Sequence, residues 1–554
     1  MNKSLLKYKD REEMYLRATR LFDDSFSVLP DMFNNYYSLN YKRKFWISVI
    51  GPWIAHFCFF YISNKDSFYK NHNDTPVDKK NINKIPMSWV EFTHFLGSGE
   101  MNRQVALQYL SVKNETFLDI SNIKLGFINE KSKKISFLNI FNKYSRKILR
   151  FLIEIMNVIV FFICQLFYKS NLIVVDSSTC SRFDFFKLFI KSAGRIVIFP
   201  NLDNLDIISV LHKRSISSKG FQNRLLLLDE QYKAYRKTQS DFDLFLCIVI
   251  LNAPFLSIEG VSLYKKIISK IATHAPKSIL LNTGQYSNES SKHAVGHWSS
   301  MGTIIKIEQH GAGYGLKKYS SYEFFEMMLS DQFYSWGWSS GVKNIKPFNS
   351  IRLSGFNLKS NYNSGNNFLY MCNTAQKEYN ESYDYGPIDR QAIISNRKKL
   401  AKICPTFLGK QIFLRGHPNV GSMYGNLGIE GFNKGVFNVD TSKSFKASLN
   451  DKKLVIFESF STGFFELISN DFPVVIYMPD AETYPWSSNG KKIISILKDA
   501  GIIIDSSEKL INFLHCYRHD WWDSRDIFRD NIKSNFCRKS DNYIDLWVNE
   551  LTFQ

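Results

Sequence analysis

The strongest constraint on this chain is a repeated alternation of short apolar runs with longer helix-like segments. Four runs in the first half are rich in β-branched and apolar residues: 172–176, 195–200, 278–283 and 303–308. Helical segments separate them, notably 221–237 and 261–274. Strands that are apolar on both faces and separated by helices are typical of a parallel sheet covered by helices. The pattern predicts an α/β fold.

The same alternation restarts after a polar stretch, residues 343–366, which is rich in Asn, Ser and Gly. Six further apolar runs follow: 368–374, 411–419, 435–440, 453–459, 473–480 and 501–506. We therefore predict two doubly wound Rossmann-like domains that face a cleft, which a chain of 554 residues is long enough to form. The predicted division is a helical region (1–170) belonging with the first domain (171–342), a linker (343–366) and a second domain (367–554).

The net charge and the cysteine pattern indicate which kinds of binding partner and which cellular compartment to expect. The net charge of +20 predicts attraction to something anionic: nucleic acid, an acidic membrane surface or a phosphorylated substrate. The sequence has no arginine-rich arm, zinc-finger spacing or aromatic–basic repeat, so we do not expect a nucleic-acid partner. Eight cysteines without a CxxC pair indicate reduced thiols rather than disulfides or a zinc site. The charged N-terminus lacks the apolar core of a signal peptide, so we expect a cytoplasmic protein.

Two apolar segments stand out in the N-terminal region. Residues 34–61 are rich in aromatics and predict a packed helical region, which Gly51-Pro52 would bend or restart. Residues 149–168 follow a basic stretch, 131–147, and their longest uncharged run is short for a membrane span. We expect either a buried helix or one lying on an anionic cytoplasmic membrane surface.

A glycine-rich segment follows the strand at 303–308. Glu308 ends the strand, His310 comes two residues later, and the loop residues are Gln309, Gly311, Gly313 and Gly315. Glycines at alternate positions allow positive φ or close backbone approach, but the spacing is not GxGxxG, so a dinucleotide site is not expected. A carboxylate and an imidazole beside such a loop suit a polar substrate, although His310 would also serve a structural role. The aromatics at 333–338 predict either a sugar platform or packing between domains.

Residues 453–466 read as strand, hydroxyl cluster and helix. Ser459, Ser461 and Thr462 fall where the free N–H groups of a helix start, which is a site for phosphate; an ordinary structural N-cap is the alternative. A second group, Arg415 with His417-Pro418, follows the strand at 411–415. If these strand ends lie close together in the sheet, both groups would meet one ligand.

These motifs resemble the nucleotide-binding half of GT-B glycosyltransferases that use cytidine nucleotides, including Kdo transferases, polysialyltransferases and CDP-glycerol glycerophosphotransferases. In those families an HP motif and a later serine pair hold the nucleotide phosphate, which matches His417-Pro418 and the hydroxyl cluster here. More broadly, the chain is similar to a family of bacterial transferases from surface-polysaccharide loci. The matching segments are 41–53, 308–315, 330–338, 415–419 and 458–466. The loop reads GAGYG where GGGYG or GGNYG is expected, a small departure.

The resemblance implies a GT-B-like architecture with an acceptor domain followed by a nucleotide-sugar domain, extra N-terminal helices and a glycosyltransferase of lipopolysaccharide, capsule or O-antigen biosynthesis. The donor would be a CMP-linked sugar, Kdo or a related acid sugar, used without metal or other cofactor. The implied donor-binding residues are Arg415, His417, Pro418, Ser459, Ser461, Thr462 and Glu466. Glu466 would lie near the ribose or hold the loop.

Three catalytic candidates face the expected acceptor side. Glu308 or Asp331 would act as base or nucleophile, with His310 assisting. The expected partners are the nucleotide sugar, a lipid-linked or glycan acceptor and an anionic membrane surface, with the protein peripheral on the inner membrane. Two alternatives stay open: a CDP-polyol phosphotransferase, and a non-catalytic membrane-associated assembly protein.

Overall fold

The computed structural model describes residues 8–70, 84–86, 100–113, 124–126, 137–177, 179–202, 218–283, 286, 288–358, 365–373, 390–416, 428–432, 435–479, 481–482 and 484–553. The helices in these residues are α1 Tyr8–Tyr37, α2 Arg43–Lys70, α3 Glu100–Lys113, α4 Phe137–Tyr168, α5 Arg182–Lys191, α6 Ser218–Thr238, α7 Asp241–Asn252, α8 Phe255–Ile258, α9 Val261–Ile271, α10 Glu289–Ser300, α11 Ser321–Leu329, α12 Ile351–Gly355, α13 Arg390–Ile403, α14 Thr406–Gly409, α15 Phe445–Ser448, α16 Thr462–Ile468, α17 Ser488–Asp499, α18 Ser507–Cys516, α19 Asp520–Asp523, α20 Asp526–Phe536 and α21 Tyr543–Thr552. The strands are β1 Lys84–Pro86, β2 Lys124–Gly126, β3 Ile173–Val175, β4 Ile196–Ile198, β5 Ser278–Leu281, β6 Ile304–Glu308, β7 Gln332–Ser335, β8 Ile345–Pro347, β9 Asn367–Met371, β10 Ile412–Arg415, β11 Asn438–Val439, β12 Lys452–Phe457, β13 Val474–Tyr477 and β14 Ile503–Ile504.

The chain divides into two compact units, each built from separate segments. The first unit consists of Met1–Glu12, Glu308–Phe324 and Phe333–Tyr543. The second unit consists of Glu13–Ile307, Phe325–Gln332 and Ile544–Gln554. The predicted linear boundaries and the predicted cleft stay predictions.

The C-terminal sheet has the Rossmann strand order. Its six strands run β11-β10-β9-β12-β13-β14, with every pair parallel. In chain order this is 3-2-1-4-5-6, and the direction of winding reverses between β9 and β12. One core cluster joins strand residues Phe368, Tyr370 and Ile456 to Leu400 of α13 and Leu510 of α18. All six predicted strands are present, because each is an apolar run that ends at polar or glycine residues.

The N-terminal sheet also has six strands, in the order β4-β3-β5-β6-β7-β8. Its four predicted strands are present, and β3 pairs in parallel with both β4 and β5. In chain order this is 2-1-3-4-5-6, and the winding reverses between β3 and β5. The predicted α/β class with two doubly wound Rossmann-like sheets and extra N-terminal helices is confirmed, while the GT-B type stays a prediction.

Two strands of the N-terminal sheet were not predicted, nor were β1 and β2, which form a separate pair. β7 overlaps the aromatic segment 333–338, and β8 lies within the predicted linker 343–366. Each has at most four residues, and Pro347 ends β8. Strands this short, without an apolar run, carry no clear sequence pattern.

The aromatic segment 34–61 forms most of α2, and Pro52 lies inside this helix without ending it. The predicted restart at Gly51-Pro52 is therefore wrong. Burial explains the difference, because packing of Trp46, Trp53 and their neighbours in the core offsets the hydrogen bond that proline removes. The close packing of α2 against α10 requires a glycine at position 296 of α10, since a Cβ there would lie 2.9 Å from the ring of Phe45.

Two helical segments in the described residues are long and apolar enough to cross a membrane: Arg43–Asn64 and Leu152–Asn171. The first has 89% of its most apolar window buried inside the protein, so it is a core helix. In the second, only 22% of that window is buried.

Candidate functional site

The glycine loop after β6 has a backbone that only glycine accepts at two positions. Gly313 has φ +97° and Gly315 has φ +70°. A Cβ on Gly315 would lie 2.4 Å from the ring of Trp338, so no side chain fits there. The N–H of Gly315 donates to Glu323 Oε2 at 2.9 Å. The loop therefore has one fixed shape, set by packing against Trp338.

Gln309 holds this loop to the aromatic segment. Its Oε1 accepts hydrogen bonds from the Trp336 N–H at 3.0 Å and from Trp338 Nε1 at 2.8 Å, and its Nε2 donates to the Gly311 carbonyl. Gln309 is buried, so its role here is to position the loop. The aromatics Phe333, Tyr334, Trp336 and Trp338 are buried as well. The prediction that they form a sugar platform is wrong, because their faces pack inside the protein.

His310 is half-buried and lies between two tyrosines. Its Nδ1 is 3.0 Å from the Tyr314 hydroxyl, and its ring meets those of Tyr314 and Tyr322 edge-on. The tyrosine contacts orient the imidazole within the loop. A ring held in this way, with part of its surface exposed, can transfer a proton to a bound substrate.

Glu308 is buried at the carboxyl end of β6. Its Oε1 accepts from the Ser350 hydroxyl at 3.1 Å and from the Ile351 N–H at 2.9 Å, at the start of α12. Burial raises the pKa of this carboxyl to about 8, although these hydrogen bonds and the charge of Arg352 oppose the rise. Glu308 therefore caps a helix, and its charge state is sensitive to pH near neutrality.

Asp331 lies at the other end of the strands. It precedes β7, its Oδ2 accepts from the Ile305 N–H at 2.8 Å, and its Oδ1 pairs with Lys44 at 2.6 Å. Ile305 is near the start of β6, whereas Glu308 is the last residue of that strand. The structure therefore does not bring Asp331 together with Glu308 and His310.

The hydroxyl cluster begins α16. Ser461 is the N-cap, and its Oγ accepts from the Phe464 N–H at 3.3 Å. Thr462 is the first helical residue, and Ser459, Ser461 and Thr462 are all half-buried. A Cβ built on Gly311 would lie 3.7 Å from Thr462 Oγ1. The structure thus brings the predicted glycine loop and the predicted hydroxyl cluster close together, which sequence distance alone does not reveal.

Glu466, also on α16, pairs with Arg352 of α12. Arg352 Nε donates to Glu466 Oε1 at 3.0 Å, and Glu466 is buried while half of the Arg352 side chain is exposed. Since Glu308 caps α12, one short helix connects both predicted acidic residues. This ion pair is compatible with the predicted role of holding the loop, and both predicted roles of Glu466 stay predictions.

Arg415 is the last residue of β10, and its guanidinium is hydrogen-bonded to other groups of the protein. Its Nη1 donates to Asp440 Oδ2 and Ser448 Oγ, both at 2.6 Å, and to the Ser442 carbonyl. These contacts fix the segment that follows β11. His417 and Pro418 lie outside the described residues. Because only β9 separates β10 from β12, the carboxyl ends of these strands are about 10 Å apart on the same edge.

Between these strand ends is a buried network that the sequence reasoning missed. Glu458 follows β12 and accepts two hydrogen bonds from Arg397, from Nε at 2.8 Å and from Nη2 at 2.6 Å. It also accepts from the Tyr370 hydroxyl and from the N–H of Asn373, the second residue after β9. Arg397 further donates to the Gly428 carbonyl. The network fixes the backbone where the sheet reverses its winding; the acidic residue directly after a strand was the available signal.

A comparable position exists in the N-terminal sheet. Asp176 follows β3, is buried, and accepts from the Ser291 hydroxyl of α10 at 3.2 Å. In the described residues no cluster of three or more His, Cys, Asp or Glu side chains has the geometry of a metal site. Independence from metal stays a prediction.

Comparison with known proteins gives distant structural matches. No curated protein sequence matches the chain significantly. A structure of the wall teichoic acid polymerase TagF soaked with CDPG matches at 12% identity and a TM-score of 0.33, covering 74% of this chain and 97% of that chain. The spinosyn rhamnosyltransferase SpnG, complexed with spinosyn aglycone, matches at 9% identity and a TM-score of 0.28, covering 69% and 96%.

A family model matches nearly the whole sequence. The match extends over residues 3–551, so it includes both sheets, the glycine loop and the hydroxyl cluster. The chain belongs to the LIC12162 family of transferases.

Proposed function

We propose that this transferase is a GT-B glycosyltransferase of bacterial surface-polysaccharide biosynthesis, which moves Kdo or a related acid sugar from a CMP-linked donor. The observation that carries the proposal is the proximity of the glycine loop at Gly311 to Thr462 at the start of α16. Both lie after strands of parallel sheets, where α/β folds bind ligands. A half-buried surface with hydroxyls, a glycine backbone and an imidazole suits a sugar nucleotide.

In this proposal the donor phosphate binds at Ser459, Ser461 and Thr462, with His417 contributing from the segment after β10. Hydroxyls and free N–H groups would stabilise the negative charge that develops on the departing nucleotide, so the reaction would need no resident metal. Glu458 and Arg397 act as positioning residues, because their ion pair holds the chain after β9 and β12. Arg415 would help only through the backbone that it orders.

We assign the proton transfer to His310. It lies next to Gly311 and is part-exposed, whereas Glu308 is buried against α12 and Asp331 lies at the start of β7. Tyr314 would orient the ring so that one nitrogen faces the acceptor hydroxyl. Glu308 and Glu466 then support the site through their contacts with the first turn of α12 and are not reacting groups.

The first test is nucleotide binding by the full-length protein, measured by calorimetry with CMP, CDP, UMP, UDP and ADP. Cytidine nucleotides should bind most tightly, and Thr462→Val should weaken CMP binding about tenfold because it removes one hydroxyl but keeps the side-chain shape. Thr406→Val is the matched control, since Thr406 is also the first residue of a short helix, α14, and is exposed. Unchanged CMP affinity in Thr462→Val and in His417→Ala would refute the phosphate site.

The second test separates the competing functions. Purified protein is incubated with CMP-Kdo and with CDP-glycerol, and release of CMP is followed. Turnover of CMP-Kdo supports the proposed sugar transfer, whereas turnover of CDP-glycerol alone would assign a polyol-phosphate transfer. Binding without turnover of any cytidine donor, with or without a glycan acceptor, would favour the non-catalytic assembly protein. His310→Ala should abolish turnover while CMP affinity stays within about twofold.

A further inference from the structure

The outer side of α4 carries a row of exposed apolar side chains. Leu152, Met156, Ile159, Ile163 and Leu166 recur at intervals of three and four residues, which places them on one face of the helix. Phe167, beside the end of this row, is 78% exposed. The helix is apolar on its outer side, where a helix on the surface of a soluble domain is normally polar.

Helix α5 repeats the pattern. Phe183, Phe186 and Ile190 are exposed at the same spacing. Both helices contact β4, the edge strand of the N-terminal sheet, and a Cβ on Gly194 would touch Phe189 of α5 and Cys164 of α4. The two helices are therefore neighbours. We call their exposed apolar side chains, from Leu152 to Ile190, the apolar band.

The inner side of α4 is fixed to the second unit along much of its length. Glu154 Oε2 accepts from the Asn201 N–H at 2.8 Å, and Gln165 Nε2 donates to the His274 carbonyl at 2.8 Å. Between them, Phe161 stacks on Trp298. A helix held by these contacts cannot enter a bilayer perpendicular to its surface without breaking them. It can still present its outer side to the membrane interface.

The exposed charge on α4, α5 and the residues that join them is positive, although Lys191 of α5 pairs with the exposed Asp545 of α21 at 2.6 Å. Residues 137–195 contain nine Lys or Arg and three acidic residues, and the three acids, Glu154, Asp176 and Asp184, are all buried. Lys169, directly after the end of α4, and Arg182, the first residue of α5, are both exposed. Cations bordering an apolar surface are complementary to anionic lipid headgroups above acyl chains.

We propose that the apolar band binds the anionic surface of a phospholipid bilayer, with α4 and α5 lying in the plane of the interface. Exposed leucine, isoleucine and phenylalanine side chains enter the boundary between headgroups and acyl chains, and the bordering cations contact the headgroups. This attachment does not depend on the proposed donor or on catalysis. It would hold the enzyme where a lipid-linked acceptor is available.

The test is sedimentation of full-length protein with vesicles of phosphatidylcholine containing about one third phosphatidylglycerol, compared with phosphatidylcholine alone. Wild type should sediment with the anionic vesicles and dissociate in part at high salt. The Leu166→Ser/Phe167→Ser/Phe183→Ser variant should lose binding about tenfold or more. Ile527→Ser is the matched control, because Ile527 on α20 is 85% exposed but lies outside the apolar band. Near-ultraviolet circular dichroism checks that the variants stay folded.

Three results would overturn the proposal. The first is equal sedimentation of the triple variant and wild type. The second is a dimer, detected by light scattering without lipid and abolished by the triple substitution, which would assign the surface to a second copy of the chain. The third is resistance of the membrane-bound protein to alkaline carbonate extraction, which would indicate a spanning helix instead of an interfacial one.

Discussion

Two carboxylates at strand ends have different roles because they contact different groups in the folded protein. Glu308 and Glu458 both come at the carboxyl ends of buried strands, β6 and β12. Glu308 contacts the neutral N–H and hydroxyl groups of a helix start, and its pKa is raised to about 8 by burial. Glu458 instead receives two hydrogen bonds from a buried arginine. Sequence alone identifies both acids, but it cannot identify their partners, which are 42 to 88 residues away.

The raised pKa of Glu308 predicts a pH-dependent stability. In the unfolded chain this carboxyl has its usual pKa near 4.5, so between about pH 4.5 and 8 the folded protein holds a proton that the unfolded chain has lost. Stability should therefore fall as pH rises through this range, by on the order of 1 kcal/mol per pH unit. Urea denaturation at several pH values should show a flatter dependence for Glu308→Gln, which keeps the acceptor oxygen. Parallel curves for the two proteins would show that Glu308 does not titrate in this range.

The buried pair of Arg397 and Glu458 predicts a large effect of removing one partner. Arg397→Met should lower the free energy of unfolding by about 3–5 kcal/mol, because it leaves a buried carboxylate without its cation. The same substitution in a Glu458→Gln background should lower the free energy of unfolding clearly less, and a double-mutant cycle measures this difference. Arg518→Met, in the exposed pair with Asp520, is the control and should cost less than about 1 kcal/mol. Additive effects of the two buried changes would contradict the coupling.

At the scale of elements, the strands and the long helices were predictable because each has a strong apolar pattern. All ten predicted strands of the two sheets are present, while β7 and β8 were missed because they are short and lack an apolar run. The continuity of α2 through Pro52 was missed because tertiary packing decides it. Likewise, Gly311 and Thr462 lie close together although they are 151 residues apart in the sequence, and no local sequence pattern predicts this proximity.

The shape of the glycine loop can be tested with two matched substitutions. Gly315 and Gly341 have similar backbone angles, φ +70° and +76°, but only Gly315 faces a ring where a Cβ would be placed. Gly341→Ala should lower the free energy of unfolding by about 1 kcal/mol, because it introduces backbone strain alone. Gly315→Ala should cost about 1–3 kcal/mol more, because Trp338 must move. Equal losses, measured by thermal unfolding, would show that Trp338 does not restrict this position.

At the scale of the whole molecule, the cysteines agree with the predicted free thiols. All eight are free, six are buried, Cys180 is half-buried and Cys516 is exposed. Burial raises the pKa of the Cys247 and Cys537 thiols to about 12, which suppresses the reactive thiolate. The cytoplasmic location that their reduced state suggests remains a proposal.

This distribution predicts the reactivity of the folded protein toward an aromatic disulfide reagent. One thiol should react rapidly, and Cys516→Ser should remove this fast phase. All eight should react after denaturation in guanidinium chloride. The absorbance of the released thiolate counts the groups in each phase. A fast phase that persists in Cys516→Ser would mean that a buried thiol becomes accessible through local opening.

The second unit includes Ile544–Gln554, and this has a consequence for biosynthesis. Lys306, buried in β6, donates to the Glu550 carbonyl in α21, so this strand contacts a helix residue that is synthesised 244 residues later. The unit therefore stays incomplete on the ribosome until residues 544–554 have been synthesised, and its apolar strands lack the packing of α21 until then. Stop codons that remove residues 544–554 should thus act like lesions in the N-terminal half, producing insoluble protein that chaperones retain.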